Sequence, residues 1–579
     1  MLYIKKIFQY TILVIFSFIL LYIISLCMLN PSIDTGRELY IPYRMLNGEV
    51  LYKDIFNIYG PLSYQLNALA YQLMGAKVHS LRIFSILNIM ILFSSVWFIL
   101  KEFFNKNEEE TTSSKLKFPQ KIFNSFIAII LISTSIFNYI FPYSFAMTYG
   151  LCFFLVSLLF FIKFSKTELP KFAYLACLFA GGAFCCKYEF TGYLIFLLLY
   201  IMLNKQIETK NVLISILITT IIPFFSFSTL FLQGMTYDDL LKTAQIVKTM
   251  AHTESIKYLY TNFTGTFFNL KVFGICFSKT FVLSVVGIIM YFANKFCKTD
   301  KFLMFIVSLF SLIGIIYVGL VGFSLFAIIN TLLFLIFFKK VYENKPVFIY
   351  MLSTILLSLK TFFAVNIETY GIYTLPFIII AMFIFLENIN YTQNEEIKQN
   401  IKKSISVIIV LLIFLFVIKS GIQSFQKTKG FILTEPLNKL SYYEIFTKTI
   451  YTYPYISAPL NKAIKYIEKN TKLTDKIVVL PESQFLNFVT KRPADNLYDS
   501  LTPMYFETFG EYNIIEHFEQ TKPEYFILNN RDTSDYGKKY ICQDYGKEFC
   551  SFVKNNYQKV ESFGENKYIL QIFKRKDLL

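Results

Sequence analysis

The chain has 579 residues, of which 55% are hydrophobic, 19% aromatic and only 16% charged. A water-soluble protein carries roughly a quarter charged residues, so an ordinary soluble enzyme is excluded. The formal net charge of +17 does not mark a nucleic-acid binder, because the lysines sit in short connections between apolar runs; no nucleic-acid partner is expected.

Runs of about 17–25 apolar residues match the thickness of a bilayer core. Here they recur at roughly 7–29, 82–104, 122–141, 148–164, 172–186, 190–204, 212–233, 278–294, 302–319, 322–338, 346–365, 371–387 and 404–420. The pattern predicts a polytopic α-helical membrane protein with about thirteen transmembrane helices. Between them lie basic clusters, Lys115 to Lys121, Lys163 to Lys171, Lys205 to Lys210, Lys295 to Lys301, Lys339 to Lys345 and Lys398 to Lys403. All fall on one side if every run crosses once, which is the positive-inside arrangement. Membrane lipids with anionic heads are the partners this charge implies. With Lys5 and Lys6 inside, an odd number of crossings leaves the C-terminal region outside.

The first run, from about Ile7 to Leu29, is too long for a signal peptide, and no small-x-small site precedes Pro31. Leu26 is too bulky for a lipoprotein site at Cys27. It reads as an uncleaved spanning helix. Directly after it comes Asp34-Thr35-Gly36-Arg37-Glu38. Ionised side chains are costly beside a bilayer, so this cluster asks for a functional reason. The loop that carries it, about 30–81, is long, and so is the loop at about 234–277. Arg37 to Leu46, Pro61 to Met74 and Tyr237 to Tyr260 show helical spacing of apolar residues, as interfacial helices do. Asp238-Asp239 reads as the acidic start of the last of these. Lys187-Tyr188-Glu189 interrupts the apolar stretch from Phe172 to Leu203 and faces the same side as Asp34.

From about Gly421 the chain is polar. A helix is expected over Ala458 to Lys469, buried strands over Lys476 to Leu480 and Glu524 to Leu528, and a hairpin around Gly564-Glu565-Asn566. The expected organisation is a transmembrane domain over 1–420 and a small extracytoplasmic α/β domain over 421–579. Of nine cysteines, Cys542 and Cys550 lie in this tail, where an outside location permits a disulfide. No Cys/His spacing resembles a metal site and no cofactor is predicted; these residues do not decide whether a divalent metal is needed.

The chemistry that fits is transfer of a sugar from a polyprenyl phosphate to a hydroxyl. The attacking hydroxyl must lose a proton, and a carboxylate within reach takes it. The phosphate leaves with negative charge and needs cations, not an acid. Asp34 with Arg37, Arg44 or Lys53 supplies that minimum; equally, Asp34 suits the N-cap of the helix that follows, and both roles can coexist. Lys187 is a candidate for the donor phosphate and Glu189 for orienting the acceptor, against the plainer reading of a tight turn in the headgroups. Arg82, near Lys77 and His79, is a phosphate candidate or a snorkelling residue. Lys360 and Glu368 are secondary candidates.

These segments resemble bacterial membrane glycosyltransferases of family 39, the protein-mannosyltransferase-like group with the C-type fold. The resemblance rests on Asp34 to Gly75, Cys185 to Tyr193 and Asp475 to Glu482, and in layout it runs along nearly the whole chain. It implies an inverting enzyme of the outer face of a bacterial cytoplasmic membrane, fed by a polyprenyl-phosphate-linked sugar. By resemblance Asp34 is the catalytic base; the family's first loop often carries two adjacent acids, whereas Thr35 follows Asp34 here, and Glu38, the next acid, is the candidate for the second acid's role. The donor phosphate would meet Lys187, Arg37, Arg44 and Arg82, while Glu189, Tyr188 and Tyr59 would orient the acceptor, a glycolipid, glycan or protein. The rival expectation is a transporter or flippase for a lipid-linked saccharide; against it, charges gather in outer loops, and no matched pair of broken spans is evident.

Overall fold

A computed structural model describes residues 2–27, 29–104, 139–296, 301–365, 370–433 and 449–579. The expected run 122–141 lies almost wholly outside the described residues, as do Lys115 to Lys121 and Glu368.

The first apolar run forms α1 (Leu2–Ser25). The first long loop folds as α2 (Asp34–Leu46) and α3 (Leu62–Met74), where the apolar spacing placed helices. Next come α4 (Val78–Phe104), α5 (Phe145–Thr167), α6 (Pro170–Cys186), α7 (Thr191–Leu203) and α8 (Thr209–Leu232). The second long loop gives two helices, α9 (Tyr237–Ala251) and α10 (Glu254–Asn262), because Thr253 stops the first and caps the second. Asp239 completes a capping box with Thr236 at the start of α9, so the acidic pair opens a helix as expected. Then follow α11 (Leu270–Phe296), α12 (Lys301–Val318), α13 (Phe326–Ile336), α14 (Phe338–Glu343), α15 (Lys345–Leu357), α16 (Leu375–Asn388) and α17 (Glu395–Lys427).

The protein is a helical membrane protein. Among the described residues, four helices are long and apolar enough to cross a bilayer, namely α4, α5, α8 and α11. A fifth results if Phe305–Val318 and Val321–Ile336, bent by 81°, count together. Thirteen full crossings are not shown among the described residues. Several of the apolar helices are short, such as α6, α7, α15 and α16, of 17, 13, 13 and 14 residues. At 1.5 Å per residue these reach only roughly 20–26 Å, short of a bilayer core of about 30 Å.

Helix α17 runs on past residue 420 to Lys427 before a short ribbon of β1 (Gly430–Leu433) and β2 (Thr449–Thr452). The ribbon ties back to the end of α1, where Tyr451 N–H donates to the Leu26 carbonyl at 3.0 Å. The soluble region then alternates α18 (Pro454–Asn470), β3 (Ile477–Leu480), α19 (Phe485–Thr490), α20 (Pro503–Phe509), α21 (Glu511–Thr521), β4 (Tyr525–Asn529), α22 (Lys547–Asn556), β5 (Tyr557–Glu565) and β6 (Tyr568–Arg575). Its sheet has the order β3-β4-β6-β5, with β3 parallel to β4 and the remaining pairs antiparallel. Strands β3 and β4 are buried at every position, which is why they read as continuous apolar runs. Cys542 and Cys550 form a disulfide between the loop after β4 and α22.

The soluble region is seated on α2. Gly36 permits the contact: a Cβ there would lie 2.4 Å from the Phe485 backbone nitrogen of α19. Around it the Tyr40 hydroxyl accepts from Ala494 N–H at 2.9 Å, and Ser483 Oγ donates to the Pro31 carbonyl at 3.0 Å. From the other side, α10 is held by Glu507, whose carboxylate accepts from Ser255 N–H at 2.9 Å and its hydroxyl at 2.8 Å.

Candidate functional site

Two backbone segments far apart in sequence create the centre of the site. Helix α6 stops at Lys187, whose extended φ of −152° breaks the helical path before a short turn at Tyr188–Phe190. Gly60 packs against that end, its N–H donating to the Cys186 carbonyl at 3.1 Å. A Cβ at Gly60 would lie 2.0 Å from the Cys185 carbonyl oxygen, so only glycine allows this approach. The approach sets the Tyr59 ring beside Lys187, whose Nζ is 5.3 Å from the ring centre.

The result is a cavity of about 1420 Å³ between the membrane helices and the soluble region. Its walls include Asp34 and Arg37 from the first turn of α2, Tyr59, and Lys187, Tyr188 and Glu189. They also include Tyr143, Lys360 and Tyr370, with Arg531, Asp535 and Tyr536 from the soluble region. Asp34 stands at the first position of α2, with Ile33 at the N-cap, so Asp34 does not take the capping role open to it from sequence and no side chain caps this helix. A negative charge at that position still suits the positive end of the helix. Its side chain is 33% exposed, and Arg37 Nη2 lies 3.3 Å from its Oδ1.

The cations form a compact group. Glu189 Oε1 is 3.2 Å from Lys187 Nζ and 2.5 Å from Lys360 Nζ. Lys187 also donates to the Tyr143 hydroxyl, and its Nζ is 4.8 Å from that ring's centre. Lys360 Nζ lies 4.1 Å from the centre of the Tyr370 ring, so aromatic faces take over part of the hydration both ammonium groups give up. Burial pushes the Lys187 ammonium from its usual 10.5 down to about 7, against the attraction of Glu189. Burial acts upward on Glu189, but Lys187 and Lys360 outweigh it and hold the carboxyl at about 2. Lys360 is shifted upward, because Glu189 and the surrounding tyrosines overcome its own burial. Glu189 thus works on the cations as their counter-charge. Among the described residues, Arg37 Nε has no hydrogen-bond partner although it is buried. The site therefore presents a half-exposed carboxylate paired with Arg37 in a cavity that Lys187 and Lys360 also line, Arg37 keeping an unused donor.

Glu38, Arg44 and Arg82 do not line the cavity, although Glu38 Oε1 lies 3.4 Å from Arg37 Nη2. Glu38 is fully buried. Its Oε2 accepts from Phe145 N–H and its Oε1 from the Tyr64 hydroxyl, each at 2.9 Å. It closes the N-terminus of α5 together with the N-cap Ser144, and burial pushes its carboxyl pKa up. Arg44 is enclosed by Glu49, at 2.8 Å from Nε, and by Asp499, at 3.0 Å from Nη1. Arg82 is buried on α4, and its Nη2 donates to the Thr449 carbonyl at 2.8 Å. These arginines join the membrane helices to the soluble region and are not at the cavity wall.

The cavity also contains residues that sequence reasoning did not single out. Tyr143 and Tyr370 carry no local signal. Arg531 follows the buried strand β4, as its ion-pair partner Glu482 follows the parallel β3. Charged residues immediately after two fully buried strands were the available clue. Among the described residues, no group of three or more His, Cys, Asp or Glu side chains is placed to hold a metal. No protein-family profile and no curated protein matches the chain.

Proposed function

We propose that the protein is an inverting glycosyltransferase that moves a hexose or pentose from a polyprenyl phosphate to an acceptor hydroxyl. In this reading Asp34 is the general base. Arg37, Lys187 and Lys360 receive the donor phosphate, and Glu189 keeps the two lysines in register. The observation that carries the reading is Asp34 on the same cavity wall as these cations.

The acceptor oxygen attacks the anomeric carbon from the face opposite the phosphate and forms the new C–O bond. Its proton passes to the Asp34 carboxylate. The bond between the anomeric carbon and the phosphate oxygen breaks, and the polyprenyl phosphate departs with both electrons. Its charge grows from about −1 to −2 in that step, so the nearby cations favour the transition state over the ground state. The carrier tail remains in the lipid while the headgroup enters the cavity from the side.

The proposal includes the membrane arrangement that such a donor requires. The N-terminus lies in the cytoplasm of a bacterium, the crossings number about thirteen, following the apolar runs, and the soluble region stands outside the cytoplasmic membrane. Asp34→Asn is the test: transfer from a radiolabelled polyprenyl-phosphate sugar should be lost while membrane insertion and thermal stability are unchanged. Full transfer by that variant would reject Asp34 as the base.

A further inference from the structure

We propose that the soluble region supplies the acceptor half of this site, a subsite for a neutral sugar ring formed by Arg531, Asp535 and Tyr536. The inference rests on the glycosyltransferase reading and names its acceptor class, a glycan and not an anionic lipid head or a peptide.

The three residues line the same cavity as Asp34. Asp535 and Tyr536 both sense the Asp34 charge, so they share one electrostatic neighbourhood with the base. The charge of Arg531 is already matched: it pairs with Glu482, and its Nη2 is 3.8 Å from Asp535 Oδ2. Two carboxylates around one guanidinium leave this corner net negative, which disfavours a second phosphate or carboxylate. Hydrogen bonding remains unspent. Among the described residues, the buried Arg531 Nε and Asp535 Oδ1 have no hydrogen-bond partner. An unused donor beside an unused acceptor complements hydroxyl groups, which give and take hydrogen bonds at once. Tyr536 and Tyr505 add aromatic surface to the same cavity.

The segment is also preorganised. Thr533 N–H donates to the Lys539 carbonyl at 2.8 Å, closing the turn that bears Asp535. Lys538 Nζ is 2.9 Å from Glu507, which itself holds α10 through Ser255. Gly537 has φ +83°, and a Cβ there would meet the Tyr258 ring at 3.1 Å. The Cys542–Cys550 disulfide fixes the far end. Side chains held this way bind without a large ordering cost.

The test uses the full chain in lipid nanodiscs and saturation-transfer NMR with three probes: methyl glycosides of neutral hexoses and pentoses, glycerol 3-phosphate, and a Ser/Thr-containing peptide. Saturation should pass to the neutral glycosides. It should fall at least severalfold in Asp535→Asn and Arg531→Gln, while both variants bind a polyprenyl phosphate like the wild type. A preference for glycerol 3-phosphate or for the peptide, decided on the wild type alone, overturns the inference, and so do glycoside signals unchanged in both variants. Failure of the wild type to bind the polyprenyl phosphate rejects instead the donor reading, and with it the acceptor role. Loss of that binding in Lys187→Ala supports the donor reading separately.

Discussion

At the N-terminal end of α2, Asp34 and Arg37 face a large cavity, and Arg37 keeps a buried donor without a partner among the described residues. At its C-terminal end Arg44 is enclosed, with Glu49, Asp499 and the Asp54 carbonyl taking its donors. Residue type is the same at Arg37 and Arg44; the surroundings differ. The soluble region covers α2 from Gly36 to Arg44, while Asp34 and Arg37 in its first turn still line the cavity, so one end of the helix only joins two regions and the other also faces space for a ligand. The same contrast separates the two acids of this helix. Asp34 is 33% exposed beside Arg37, whereas Glu38, one turn later, is 0% exposed and holds the start of α5.

Substitution of the two acids should break that comparison most sharply. Asp34→Asn is expected to lower transfer by about 10²–10⁴-fold, the usual contribution of a general base, with unchanged melting temperature. Glu38→Gln should do the reverse, retaining most transfer at low temperature but destabilising the fold by roughly 1–3 kcal/mol through a mismatched buried hydrogen-bond set. Parallel activity and melting measurements decide between these outcomes. The arginines give the next contrast. Arg44→Ala leaves the partly buried Asp499 without its cation and should cost about 1–3 kcal/mol in a thermal or denaturant melt. Arg37→Lys should leave stability nearly unchanged and weaken polyprenyl phosphate binding, because a lysine cannot offer the same fork of donors.

A smaller effect is expected from pH. The Lys187 ammonium is held at about 7 by burial, so the ligand-free protein loses this charge as pH rises through that value. A bound anion favours the protonated form, and binding then takes up a proton. Affinity for a polyprenyl phosphate should therefore fall above about pH 7, by up to roughly tenfold per unit. Lys187→Arg stays charged over the whole range and should flatten the profile. The smallest effect belongs to the Cys542–Cys550 bond. Its reduction by dithiothreitol should raise the acceptor KM by on the order of a few-fold through a looser Arg531–Tyr536 segment, leaving donor binding unchanged.

Much of the architecture could be read from the chain because it follows from local rules. Apolar runs of spanning length gave the membrane class, and helical spacing placed α2 and α3. Continuous apolar stretches placed β3 and β4, and Gly564-Glu565-Asn566 placed the β5–β6 turn. The number of full crossings was less legible, since apolar runs such as 346–365 and 371–387 yield only the short helices α15 and α16. For the cavity, Asp34, Arg37, Tyr59 and Lys187-Tyr188-Glu189 stood out because charge beside apolar runs is expensive. Arg44 and Arg82 stood out for the same reason, although they serve the contact between the two regions. An arginine that satisfies buried carboxylates and one that awaits a phosphate look alike until their neighbours are known.

The sequence by itself determined a helical body with runs of membrane-spanning length, a compact α/β region and a charged first loop, because periodicity and desolvation cost act over a few neighbouring residues. Only the tertiary structure decided which charges meet. Gly60 against Cys185 and Gly36 against Phe485 bring together backbones that lie over a hundred residues apart. Arg531 and Asp535 reach the cavity the same way, from the far end of the chain. Whether a buried charge is satisfied or available depends on such distant partners, and that information is spread over the whole fold.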